Sequence, residues 1–111
     1  MSVYLIEFQA FPRDYGFRPH NHAEVIRDTL EEAIDEIDIS KSVDTNFIDM
    51  DRVVFDGPFI SGTIRYMFTW IKERKNMGDW QCSYIVRELE ETPEVKEAMK
   101  SGRLNFLIDP L

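Results

Sequence analysis

Apolar residues fill nearly every position from Val3 to Phe11, a run rich in β-branched and aromatic side chains. Such a run predicts a strand buried on both faces, and so one central in a sheet. PRDYGFRPHN follows, with two prolines and a glycine, and predicts a loop. The period then changes. Ile26, Leu30, Ala33, Ile34 and Ile37 recur at spacings of three and four, the inward stripe of an amphipathic helix over 22–38. Asn21 stands at the N-cap position of that helix, with Glu24 as the second member of a capping box.

DISKSVDTNF is polar and turn-prone. Val53 to Ile60 is apolar but interrupted by Gly57-Pro58, which predicts a strand with a bulge or an edge position, because proline cannot donate to a ladder. Ile64, Tyr66, Phe68 and Trp70 share one parity, and Trp80, Cys82, Tyr84 and Val86 repeat it after KNMGD. Two alternating runs around a glycine-containing loop predict an antiparallel hairpin with one aromatic face. Ile64, Met67, Phe68 and Ile71 also fit helical spacing, so the first arm has two readings. Thr92 and Pro93 open a short helix, PEVKEAMK, that ends at Gly102, and Leu104, Phe106 and Ile108 alternate as a closing strand.

The predicted order is β-α-β-β-β-α-β over a single domain, 1–111. Its fold class is α+β, an antiparallel or mixed sheet with two helices packed on one face. Aromatics on the open face of such a sheet would form an interaction surface.

Charge alters this picture in one segment. From Ala23 to Asp56 eleven carboxylates face only Arg27, Lys41 and Arg52, a net of −8, while the rest of the chain is neutral. Glu24, Asp28, Glu31, Glu32, Asp35, Glu36 and Asp38 would line the outer side of the predicted helix; Asp44, Asp49 and Asp51 continue the acidic stretch. Like charges four residues apart repel by roughly 0.2–0.5 kcal/mol per pair. An acidic last turn would also oppose the helix dipole. A pI near 4.7 disfavours direct binding to nucleic acid or to an anionic membrane, and makes a basic protein the natural complement.

Other chemistry is sparse. His20 and His22 form a His-x-His pair that would face one way on an extended chain, but a helix starting at Asn21 spoils that geometry, so no metal is expected. Cys82 lies on the apolar parity of its strand and reads as core. No Gly-rich phosphate loop or nucleophile elbow occurs, and no cofactor or catalytic residue is assigned. The N-terminus has no basic lead and carries Glu7 within its apolar run, which predicts neither signal peptide nor membrane span and a cytoplasmic protein.

These readings converge on a non-enzymatic acidic binding protein. Carboxylates about 6 Å apart along a helix present a line of negative charge comparable to a phosphate backbone. The expected partner is a basic, nucleic-acid-handling protein such as a nuclease, with Tyr15, Phe17 or Phe47 as anchoring side chains. In size, acidity and lack of cofactor motifs the chain resembles, in style only, phage-encoded inhibitors of defence nucleases, DNA mimics and toxin-neutralising immunity proteins. The alternatives are a small enzyme or ligand-binding domain with a pocket over the aromatic hairpin, and an oligomeric subunit, such as a homodimer paired through the Val53–Ile60 edge.

Overall fold

The computed structural model describes residues 1–12, 20–43, 50–73 and 78–108, the side chains of 43, 50 and 51 aside. Five strands, β1 (Ser2–Pro12), β2 (His20–Arg27), β3 (Met50–Ser61), β4 (Ile64–Lys72) and β5 (Trp80–Glu90), form one antiparallel sheet in the order β2-β1-β5-β4-β3. Helix α1 (Leu30–Val43) lies between β2 and β3 in the chain, and helix α2 (Pro93–Ser101) and a 3₁₀ turn (Leu104–Leu107) close it.

The α+β class, the internal position of the first strand and the aromatic hairpin are as the pattern predicts. β1 pairs with β5 without a break from Ser2↔Glu90 to Pro12↔Trp80, and its Val3, Leu5, Ile6, Glu7 and Phe8 are all buried. Alternation, not helical spacing, governs 64–72, because this arm packs against both β3 and β5. β3 is an edge strand, with three register shifts against β4 and Pro58 near its end. Gly62, at a left-handed φ of 57°, turns the chain into β4. Helix α2 starts as expected: Thr92 Oγ1 accepts from the Val95 amide at 3.3 Å, Pro93 follows, and Gly102 ends the helix at φ 75°.

Three expectations fail. The segment read as the first turns of the acidic helix is β2, paired antiparallel with β1 from Tyr4↔Arg27 to Ala10↔His20. The helix begins instead at Leu30, capped by Thr29, and runs on to Val43, through part of the stretch read as a turn. The closing strand is a 3₁₀ turn, in which Asn105 Oδ1 accepts a hydrogen bond from the Ala23 amide at 2.8 Å.

Nor do the helices share one layer. Ala33 and Ile37 of α1 pack into a cluster with Ile6, Phe8, Ala10, Tyr66, Phe68, Trp70, Trp80, Cys82, Tyr84 and Val86. The aromatic face of the hairpin is therefore the core, covered by α1, and not an open interaction surface. Phe8, Trp70 and Tyr84 stack at tilted angles with centroids 5.4–6.2 Å apart, within the range of favourable aromatic pairs. Val95 and Ala98 of α2 are buried outside that cluster, as are Val3, Leu5, Ile71 and Ile85. No helix among the described residues is long and apolar enough to cross a membrane.

Candidate protein-interaction surface

The shifted start of α1 rearranges the acidic residues. Leu30, Ala33, Ile34 and Ile37 turn inward, which leaves Glu31, Glu32, Asp35 and Asp38 exposed and Glu36 partly so. Glu31 and Glu32 fall in the first turn and Lys41 in the last. The helix dipole favours anions at the first and cations at the second, so the predicted opposition between charge and dipole is absent. What remains is repulsion in mid-helix, where Asp35 sits four residues after Glu31 and three before Asp38.

The acids also differ in their partners. Glu36 Oε2 takes Arg27 Nη2 at 3.1 Å, and Asp38 Oδ1 takes Lys41 Nζ at 3.2 Å. Asp28, in the turn before α1, and Glu31, Glu32 and Asp35 make no ion pair among the described residues. Glu24 leaves the helical ridge altogether. It is the extra residue of a register shift in β2, between the pairs Ile6↔Val25 and Glu7↔Ala23, and its carboxylate meets His22 Nε2 at 2.8 Å. Asp44 and Asp49 lie outside the described residues, as do Tyr15, Phe17 and Phe47, and Asp51 is described only as backbone of β3.

Lys41 ties the helix to the edge strand. Its ammonium sits 3.5 Å from Asp56 Oδ2 of β3 as well as on Asp38, and 3.9 Å over the Phe68 ring. The other Asp56 oxygen accepts a hydrogen bond from the Tyr66 hydroxyl. Burial first, and then this hydrogen bond, push the Tyr66 phenol well above its ordinary pKa. Asp38, Lys41, Asp56 and Tyr66 thus join the last turn of α1 to the β3 edge.

That edge, which the sequence reading offered for strand pairing, carries exposed apolar side chains it did not single out. Val53, Val54, Phe55, Phe59 and Ile60 are exposed, Ile60 by 80%, and the Phe55 and Phe59 rings meet edge to face at 5.9 Å. Their β-branched and aromatic character signalled a strand. Only the Gly57-Pro58 break signalled that the strand would lie at an edge, where its side chains stay outside the core.

The remaining candidates resolve simply. β2 is extended, so His20 and His22 do share a face. His20 stacks on Trp80 at 5.7 Å, and His22 tilts against Phe8 at 5.2 Å. Among the described residues, no group of three or more His, Cys, Asp and Glu side chains is placed to hold a metal ion. Cys82 is buried in the aromatic core cluster. An open groove of about 840 Å³ lies between α2 and the 3₁₀ turn, lined by residues including Glu97, Arg103 and Phe106; none of its lining residues belongs to the aromatic hairpin. No protein-family model, curated protein or solved structure matches the chain.

Proposed function

We propose that the protein is a non-enzymatic acidic binding protein that docks on a basic, nucleic-acid-handling protein and competes with nucleic acid for it. One observation carries this reading. Glu31, Glu32 and Asp35 stand exposed on one helix without an ion pair among the described residues, in a chain whose net charge is confined to that segment and its continuation. Carboxylates of this kind have no internal ion pair among the described residues to give up when they meet a surface of Lys and Arg. They also speed docking by long-range attraction. Glu36, Asp38 and Glu24 are already engaged internally and contribute mainly to the surrounding field.

The test is affinity capture from the source cells at about 50 mM and about 500 mM salt, with the triple variant Glu31→Gln/Glu32→Gln/Asp35→Asn beside the wild type. Neutral isosteres are preferable to lysine, because cations in the first turn would oppose the dipole and confuse binding with stability. The expected result is a basic polypeptide retained at low salt, released at high salt, lost by the triple variant and displaced in turn by duplex DNA. Retention that the triple variant leaves unchanged would overturn the reading.

A further inference from the structure

Single exposed apolar residues are ordinary, whereas a contiguous set marks an interaction site. Five of the ten large exposed apolar residues among those described lie on β3: Val53, Val54, Phe55, Phe59 and Ile60. The backbone of this edge is poorly suited to receiving another strand. Its register shifts against β4 twist the ladder, and Pro58 removes an amide donor. Recognition at β3 must therefore run through side chains, with the Phe55–Phe59 pair as its largest feature.

Charge selects the occupant. The strip runs on from the segment that carries the chain's net charge, and Asp56 within it pairs with Lys41 in the last turn of α1. A second copy docked there would bring its own net charge of −8 against a segment of the same sign. A basic partner reverses the sign. Charge of this kind sets association rate and salt dependence, while buried aromatics set dissociation rate.

We infer that β3 is the anchoring half of a two-part docking surface. Phe55, Phe59 and Ile60 enter an apolar pocket that is bordered by Lys or Arg on a basic protein, and Glu31, Glu32 and Asp35 steer that protein in. This inference rests on the acidic-binding reading above, and its test separates the two.

Two synthetic peptides serve as probes, an oligolysine decamer and a decamer alternating lysine with leucine, titrated at about 50 mM and about 300 mM salt. The wild type binds the alternating peptide about tenfold more tightly than oligolysine, the increment of one good apolar anchor. Phe55→Ser/Phe59→Ser abolishes that increment at both salts and leaves oligolysine binding unchanged. Ile60→Ser, at a side chain so exposed that folding is not in question, lowers the increment by a few-fold. Glu31→Gln/Glu32→Gln/Asp35→Asn weakens both peptides, chiefly at low salt.

Binding of oligolysine with no leucine increment, or an increment insensitive to Phe55, Phe59 and Ile60, overturns the anchoring role while the acidic reading stands. No binding to either peptide overturns both. Sedimentation equilibrium supplies the last arm. A dimer that Ile60→Ser or Phe55→Ser/Phe59→Ser converts to monomer would assign the strip to a second copy and overturn the proposal.

Discussion

Thr29 Oγ1 accepts a hydrogen bond from the Glu32 amide at 3.1 Å, and through this contact the acidic helix begins at Leu30. Two capping boxes compete along this stretch, Asn21–Glu24 and Thr29–Glu32. The second prevails because the residues before it are taken up by β1. Replacing Thr29 with alanine should cost about 1 kcal/mol, read as a lower urea midpoint with an unchanged slope. Asn21→Ala should cost nothing or stabilise, because Asn21 Oδ1 is buried without a hydrogen-bond partner among the described residues. A larger loss at Asn21 than at Thr29 would contradict this account of the helix start.

This start explains most of what the sequence concealed. Ile26 and Leu30 are four residues apart, so they fit a helical stripe. In the structure Ile26 pairs with Leu5, on the opposite face of the sheet from Val25, which packs on the aromatic cluster. The alternation that would have marked β2 as a strand is broken at Glu24, where the register shifts. No local rule decides between the two patterns; the free edge of β1 does. Features set by local chemistry were legible: the apolar run of β1, the parity of the hairpin, the Thr92 cap and Gly102 stop of α2, and Gly57-Pro58 as the mark of an edge. At the candidate site, the outward position of Glu31, Glu32 and Asp35 was legible, whereas the sense of the dipole and the pairing of Glu24 with His22 both depended on where the helix began. On β3 the edge position was legible, but the outward exposure of its side chains was not, because Val, Phe and Ile read as core wherever they occur.

Glu7 tests how the sheet tolerates a charge inside it. Its side chain is 2% exposed and accepts from Arg87 Nε at 2.6 Å and from Gln9 Nε2 at 3.0 Å. Removing Arg87 leaves a buried carboxylate without its countercharge. Arg87→Met should therefore cost about 3 kcal/mol, the low end for such pairs, because the guanidinium is partly solvated. Replacing both residues, Glu7→Leu/Arg87→Met, should recover most of that loss. Chemical denaturation of the two single variants and the double variant measures the coupling. Additive losses would show that the pair does not act as a unit.

Tyr66 gives the protein an alkaline limit. Burial and the hydrogen bond to Asp56 raise its folded-state pKa above the unfolded value of 10.0. A group raised in this way contributes its full stability below the unfolded pKa, and that contribution is lost as pH rises through the interval up to the folded value. Stability should therefore fall above about pH 10. Tyr66→Phe should flatten that part of the curve while lowering stability at neutral pH by about 1 kcal/mol, the net worth of one hydrogen bond. Thermal melts between pH 8 and pH 11, in roughly half-unit steps, compare the two slopes. Tyr4, also raised by burial and its bond to Glu88, titrates in the same range and leaves a residual slope in the variant. Identical slopes in wild type and variant would dismiss Tyr66 as the cause.

Asp35 separates function from stability most sharply, because the two should move in opposite directions. It lies four residues after Glu31, three after Glu32 and three before Asp38, on the exposed side of α1. Each like-charged pair costs about 0.2–0.5 kcal/mol. Asp35→Lys turns these repulsions into attractions and replaces a poor helix former by a good one. Stability should rise by about 0.5–1 kcal/mol. If the carboxylates serve to meet a basic protein, the same substitution should weaken capture of that protein several-fold at low salt and hardly at all at high salt. The expected signature is a higher denaturation midpoint together with a lower affinity. A variant that gains stability and keeps its affinity would show that the acidic face of α1 does no more than keep the protein in solution.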